Sequence, residues 1–476
     1  MRRALAPLLF VFSHLGACGP KLSYSAPIPG RTDPDAVHVA GGVFRDGAGR
    51  QLLFRGYNAK VMNVFDAAFD DGRTPNETFP DFDEASAAKF EELGFDVMRL
   101  PINWSAIEPK PRKYADAFFA KVEIVLDMAR RHHFRVILDM HQDAYSKEIG
   151  EDGAPLWAIV PPPAQLLSGP SDDSRRTSPE VLAAGFDFFA NAQATDGRAL
   201  QDAFVTAVAM MARRWSQDPV VLGFEAFNEP VVLHQDELDA FHVRLADSLH
   251  VIDKDAPVLF EPVATRNQFD QALKPAAPFA DGPGVYTVHV YTGIFSNVDY
   301  ASDWNNLRPS MVNAVAEAAA WGTPLFISEY GCDQTTALGP QWISHELDLQ
   351  DEMLASSTAW AWEPGAWGIR DLDATHDIVY KPQTIAIVSR PYPRAVAGDL
   401  VAIEHPSHDV MIVHYRAYDA VATLSHEVAA SADWFPNGYA ITCDGAPAQN
   451  VVTSTGRATF TCPTTAGDHV FAVTGL

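Results

Sequence analysis

At 476 residues and 47% hydrophobic content, the chain has room for a barrel domain of roughly 250–400 residues plus a smaller module. A formal net charge of −26 argues against nucleic acid and anionic membrane surfaces as electrostatic partners, since both are held through basic patches. Past the N-terminus no segment approaches the ~20 apolar residues needed to cross a bilayer, and there is no sustained heptad, low-complexity tract or solenoid-length repeat.

The first residues, "MRRALAPLLFVFSHLGACG", read as an export signal. Arg2 and Arg3 precede an apolar run from Leu8 to Phe12, and small residues follow as far as Cys18. The "LGAC" tail resembles a bacterial lipobox, in which the cysteine becomes the lipidated first residue of the mature protein. An ordinary secretory signal cut nearby is the alternative. Both predict export, as a cell-envelope lipoprotein or a secreted protein, with residues 1–18 as signal and 19–30 as linker.

From about Gln51 to Glu363 short apolar runs alternate with helix-like stretches. The runs are "LLFRGYN", "DVMRLPINW", "FRVILDMH", "VLGFEAFNEP", "PVLFEP", "GVYTVHVY", "PLFISEYG" and "STAWAWEP", eight in all. The segments between them, such as "DAFFAKVEIVLDMARRH" and "LQDAFVTAVAMMARRW", carry helical periodicity. Near-continuous apolar strands alternating with helices imply a parallel sheet, and eight such units predict an α/β fold, a (β/α)8 TIM barrel over residues 31–390. A doubly wound open sheet is the competing fold, but "FRGYNAK" is not the Gly-rich first turn it requires.

A long insertion, Tyr145 to about Gln193, follows the third run. It is rich in Leu, Trp, Phe and Pro. Such a segment either covers an apolar part of a substrate, with Trp157 and Phe188 as wall residues, or packs on itself as a subdomain. After about residue 390 the texture changes to short alternating runs, among them "DVMIVHYRA", "GYAITCDG" and "RATFTC", which predict a C-terminal β-sandwich over residues 391–476. Cys443 and Cys462 lie in two of these runs, and an exported compartment permits a disulfide between them.

Polar residues gather at the C-terminal ends of the eight runs: Asn58, Arg99, Asn103, Asp139, His141, Asn228, Glu229, His289, Tyr291, Glu329 and Trp362. In a parallel barrel these ends share one face, where active sites are built. Glu229 ends the fourth run in "FNEP", and Glu329 ends the seventh in "ISEYG". Two carboxylates on separate strand ends are what glycoside hydrolysis needs, one to protonate the departing oxygen and one to act at the anomeric carbon. The competing reading of each, a buried ion pair with a nearby arginine, is weakened because both end apolar barrel strands. Asp139, His141 and Asp143 alternate in "DMHQD" as metal ligands do, but no further ligand stands at a telling distance, so no metal is expected.

At these residues the chain resembles the glycoside hydrolases of family 5, through "FNEP", "HVYTG", "ISEYG" and "AWEP". Within that family it is similar to the endoglycoceramidases, through "RGYNAK", "DMHQDAYS" and "ATRNQFD" in the same order. The resemblance covers nearly the whole chain. It implies a retaining endo-β-glycosidase that cuts the bond between glycan and ceramide of glycosphingolipids, without a cofactor. Carried over residue by residue, it makes Glu229 the acid/base and Glu329 the nucleophile. Tyr291 and Arg99 would support Glu329, and His289 would support the pair. Asn228 would bind the sugar 2-hydroxyl. Lys60, Asp139 and His141 would grip other hydroxyls, and Trp362 would form the floor. The acid is expected to have a raised pKa. The implied partner is a glycosphingolipid, presented at a membrane or in micelles; no nucleic acid or protein partner is implied. Alternatives are a family 5 β-glycosidase acting on a steryl glucoside or a glucan, and a non-catalytic glycan-binding lipoprotein.

Overall fold

The computed structural model describes residues 33, 35–78, 80–170, 172–269, 282–291, 300–462 and 465–476. The export signal with Cys18 lies outside them, as do Thr292 and Gly293 of the "HVYTG" motif. Among the described residues, eight parallel strands close into a barrel: β1 (Arg55–Asn58), β2 (Val97–Ile102), β3 (Arg135–Met140), β4 (Val221–Glu225), β5 (Val258–Phe260), β6 (Gly284–Val290), β7 (Leu325–Tyr330) and β8 (Ser356–Ala359). Each lies on one of the eight apolar runs.

The strands are apolar on both sides because the outer face meets helices and the inner face is filled by side chains. Low inside the barrel, Phe54, Val97, Ile137, Leu222, Leu259, Val285 and Phe326 form one buried cluster, and Val37, Phe44 and Leu52 belong to the same cluster. Strand side chains repeat with period two. The residues two positions on from Val97, Ile137 and Leu259 are Arg99, Asp139 and Glu261, all fully buried charges. The apolar plug therefore carries a charged layer on its upper side. In β7 the register shifts between Ile327 and Glu329. Such a bulge re-aims a side chain, and here it turns Glu329 toward that layer.

Two antiparallel sheets form the C-terminal sandwich. One contains Asp399–Ser407, Val410–Ala417, Gly467–Gly475, Tyr439–Cys443 and Ala446–Pro447. The other contains Pro393–Val396, His426–Ala429, Arg457–Thr461 and Gln449–Ser454, and is extended by three N-terminal strands, His38–Ala40, Val43–Arg45 and Gln51–Leu52. This departs from the sequence expectation, which gave everything from residue 31 to the barrel. The cause is edge pairing: Leu52 lies in register with Ala395, which satisfies backbone groups that a free edge would leave open. Met411, Val413, Val428, Phe460, Phe471 and Val473 fill the space between the sheets.

Cys443 and Cys462 are bonded to each other, 19 positions apart, and a loop of that length is worth about 3 kcal/mol in a chain-entropy account. The sandwich sits hard against the barrel. Tyr392 donates to the Gly94 carbonyl at 3.0 Å, and Arg394 meets Asp96 at 3.4 Å. Gly456 has φ +65°, and a β-carbon there would fall 1.8 Å from the Glu91 carbonyl, so only glycine allows this approach.

The insertion after β3 contains a helix, Pro179–Phe189, capped by the Ser178 side chain. Trp157, Phe188 and Phe189 point inward. Phe188 is fully buried against Phe204, Phe227 and Phe241. Trp157 packs edge-on to Trp104 at 5.2 Å and donates to the Glu108 carbonyl. The insertion is thus packed on itself around these side chains, and Trp157 and Phe188 are core residues, not an exposed wall.

Candidate active site

Strand β4 ends at Glu225, and the chain turns through Asn228-Glu229-Pro230 at the barrel mouth. Glu229 has φ +43°, a left-handed conformation that costs a non-glycine residue about 1–3 kcal/mol unless its surroundings hold it. They do. The Asn228 N–H donates to the Met140 carbonyl at 3.1 Å. Gln142 Nε2 donates to the Asn228 and Glu229 carbonyls at 2.8 and 3.3 Å. The Glu229 N–H donates to Glu261 Oε2 at 3.2 Å. The strained turn delivers the carboxyl inward, where Oε1 lies 3.0 Å from His289 Nδ1 and 3.4 Å from Asn267 Nδ2.

Glu329 arrives from the opposite side of the mouth. Arg99 Nη1 donates to its Oε1 at 2.5 Å and the Tyr291 hydroxyl to its Oε2 at 2.8 Å. Burial and the adjacent Glu329 charge push the Tyr291 phenol well above its ordinary pKa, so it remains a donor. A carboxylate oxygen of Glu229, a ring nitrogen of His289 and a carboxylate oxygen of Glu329 all lie within 4.8 Å of one another.

Beneath this pair lies the charged layer. Arg99 also binds Glu225 through Nε, Asn58 Oδ1 at 2.9 Å, Asn228 Oδ1 at 2.8 Å and Asp139 at 3.1 Å. His289 Nε2 faces Glu261 Oε1 at 3.4 Å. Burial would strip the proton from His289, but Glu261 and Glu329 and the bond to Glu229 outweigh it and hold its pKa well above normal. Burial pushes Glu261 up to about 8 against the pull of His289. Glu229 itself is a correction to expectation. Burial raises its pKa, but the His289 bond and charge, with a smaller pull from Arg176, bring it below the ordinary carboxylate value.

The family model for cellulase (glycosyl hydrolase family 5) matches residues 62–366, the span that carries both carboxylates and all but the first of the barrel strands. The chain belongs to glycosyl hydrolase family 5. Among curated proteins it is similar to endoglycoceramidase I of Rhodococcus hoagii, at 26% identity over 76% of this chain and 75% of that one. Among solved structures it is similar in fold to endo-glycoceramidase II from Rhodococcus sp. in a complex with ganglioside GM3 (TM-score 0.76, 22% identity, 92% of this chain and 100% of that one). It is also similar in fold to sterylglucosidase 1 of Cryptococcus neoformans (TM-score 0.70, 13% identity, 93% and 97%).

In this family 5 barrel the remaining polar residues take graded positions. Lys60 Nζ pairs with Glu77 at 2.7 Å, and its backbone N–H donates to Glu363. Burial would depress its pKa, but Glu77 and Glu363 raise it on balance. Asn228 Oδ1 accepts from Arg99, and its Nδ2 donates to the Gln142 carbonyl at 3.0 Å; a primary amide has a second N–H for a ligand. Asp139, Oδ2 of which serves both Arg99 and His141 Nδ1, is fully buried. Its expected grip on a hydroxyl is thus corrected to support of those two residues, because its position on the inner pleat of β3 sets it below the mouth. His141 faces Asp139 with one nitrogen and Asp143, at 3.4 Å, with the other. The three form a chain and do not converge on one point as metal ligands would.

Trp362 is a further correction. It is 1% exposed and packs among Tyr57, Phe82, Phe90 and Tyr380. Strand β8 ends at Ala359, so by Trp362 the chain has already turned out into the layer between barrel and helices. The residue at the mouth is Trp360, half-buried, which stacks parallel to His141 at 5.6 Å and lies 5.1 Å from Lys60 Nζ. Trp360→Ala is expected to lower kcat/KM about tenfold, roughly the worth of one lost aromatic face, with Tm unchanged. Trp362→Ala should instead cost about 3–5 kcal/mol of stability and spare turnover per folded molecule. Steady-state kinetics with thermal melts on both variants separates the two roles, and the reverse pattern would restore Trp362 as the floor.

Sequence reasoning missed Trp360, Glu225, Glu261 and Asn267. The first three were reachable. Glu225 and Glu261 end apolar runs just as Glu229 does, and Trp360 is the first residue after β8. Asn267 lies in the short helix Thr265–Phe269, inside the "ATRNQFD" motif, and its contact with Glu229 is set by folding.

Proposed function

We propose that the protein is a retaining endo-β-glycosidase that hydrolyses the bond between the glycan and ceramide of glycosphingolipids. The observation that supports the mechanism is that one oxygen of Glu229 and one of Glu329 lie within 4.8 Å of each other, with His289 Nδ1 within 3.4 Å of both residues, a close pairing that leaves little room for a water between them. Double displacement uses carboxyl groups about 5–5.5 Å apart, whereas inversion needs about 6.5–9.5 Å to seat a water. Glu329, held by Arg99 and Tyr291, attacks the anomeric carbon as the glycosidic C–O bond breaks. Protonated Glu229 gives its proton to the departing oxygen, releasing the alcohol and leaving the glycan esterified to Glu329. Glu229, now a carboxylate, takes a proton from water. The water oxygen attacks the anomeric carbon and the ester bond breaks, so Glu329 is regenerated and configuration is retained.

The ceramide part of the reading is supported by similarity to endoglycoceramidase I across three-quarters of both chains. It is also supported by exposed apolar residues that follow the catalytic turn, Val231 at 43% and Leu233 at 56% exposure. Burying part of a lipid tail adds about 0.8 kcal/mol per methylene, which positions the scissile bond. The test compares a glycosphingolipid with the same glycan on a short polar aglycone, followed by thin-layer chromatography of the released glycan and lipid. Intact glycan and ceramide should appear, with kcat/KM clearly higher for the lipid. Equal kcat/KM for the two, or faster cleavage of a steryl glucoside, would sink the reading.

A further inference from the structure

The catalytic carboxyl of Glu229 presents two different sides. Oε1 is occupied by His289 and Asn267. Oε2 has a cation from the insertion beside it. Arg176, on the 3-10 turn Asp173–Thr177, places Nη1 3.8 Å from Glu229 Oε2. The same guanidinium is paired with Asp143 Oδ1 at 3.1 Å and Glu151 Oε2 at 2.9 Å, carboxylates whose own side chains are nearly buried. Asp143 follows β3 and is itself tied to His141. Arg176 is thus held over the acid by the loop that builds the sugar site, while its side chain keeps 41% exposure. The departing oxygen of a substrate must lie against Glu229, and the side opposite His289 is where Arg176 stands.

We propose that Arg176 is a specificity-determining residue on the leaving-group side, where its guanidinium donates to an acceptor oxygen close to the scissile glycosidic oxygen. This rests on the reading of Glu229 as acid/base and on a ceramide aglycone. A ceramide carries an amide carbonyl and a hydroxyl beside the glycosidic oxygen, and a planar fork of five N–H donors suits such a pair while keeping its mooring carboxylates. A sterol offers no acceptor there. The insertion then selects an aglycone by a charged hydrogen bond, even though its aromatic residues are spent in the core. The charged and titratable groups around Glu229 are His289 from β6, Glu261 beyond β5, Glu329 from β7, Asp143 after β3 and Arg176. Removing Arg176 takes away a cation, so ionised Glu229 becomes less favourable and its pKa rises. The basic limb of the kcat/KM profile, where the acid loses its proton, then moves to higher pH.

The experiment uses the full chain, with Arg176→Ala and Arg176→Lys, a glycosylceramide, and the matching β-glycosyl fluoride. The fluoride presents no oxygen to Arg176 and departs with little help. Arg176→Ala should lose about 10- to 100-fold in kcat/KM on the glycosylceramide, the range for one charge-assisted hydrogen bond, and less than about threefold on the fluoride. Its basic limb should shift upward, and Arg176→Lys should hold the wild-type limb. Equal losses on both substrates, or an unmoved limb, would mean that Arg176 only braces the loop, and would overturn the proposal. A wild-type enzyme that cleaves the fluoride and no glycosphingolipid would instead overturn the ceramide reading, and this inference with it.

Discussion

Glu329→Gln is expected to lower hydrolysis by more than about 10³-fold, because a carboxamide forms no glycosyl ester. The fold should survive. The carboxamide would keep an oxygen for the Tyr291 hydroxyl, which now donates to Glu329 at 2.8 Å. Arg99 would lose one charged partner but keep Glu225 and Asp139, both fully buried beside it. The loss should therefore fall on kcat with natural and activated substrates alike, since both must pass through the ester. Single-turnover kinetics alongside a thermal melt decides it. A variant that melts like the parent and retains more than about a tenth of its activity, far above the level expected without a nucleophile, would remove Glu329 from that role.

The second large effect separates the two carboxylates by leaving group. General acid catalysis contributes about 10²–10⁴-fold, and it matters most when the departing alcohol is a poor leaving group, as ceramide is. Glu229→Gln should lose that full amount on a glycosylceramide. On an aryl glycoside with an activated phenol the first step should proceed nearly unaided, and the glycosyl-enzyme should accumulate because no base remains to draw a proton from water. A burst of phenol followed by slow turnover is the expected record. Equal losses on the two substrates would undo the assignment. Because His289 outweighs burial and keeps the Glu229 pKa down in the free protein, the parent enzyme should work best on the acidic side of neutrality, where the acid holds its proton.

Eight apolar runs with polar C-terminal ends were enough to name the barrel, its working face and the pair Glu229 and Glu329. The reason is that strand pattern is a local property. A strand buried on both faces reads as continuous apolar sequence, and a carboxylate at its end is tolerated only where partners or chemistry hold it. Cys443 and Cys462 were likewise legible as a pair inside one β-rich segment, and the structure joins them.

Where several segments converge, local pattern lost its authority. Trp360 and Trp362 stand two residues apart in the same run, yet one lines the mouth and the other is locked in an aromatic cluster, since the chain leaves the barrel at Ala359. The direction of the Glu229 pKa shift depends on His289, Asp143 and Arg176 from separate segments, and burial alone would have given the opposite sign. Arg176 reaches Glu229 from an insertion whose Trp and Phe content suggested apolar cover or a self-packed subdomain, and no charged contact. What the sequence by itself determined was the architecture and the placing of Glu229 and Glu329 at one mouth of the barrel, because periodicity and strand-end chemistry are written along the chain. What only the tertiary structure decided was which tryptophan stands at the barrel mouth, which charges surround Glu229 and how the N-terminal strands are used, because those are set by distances between segments that the order of residues does not encode.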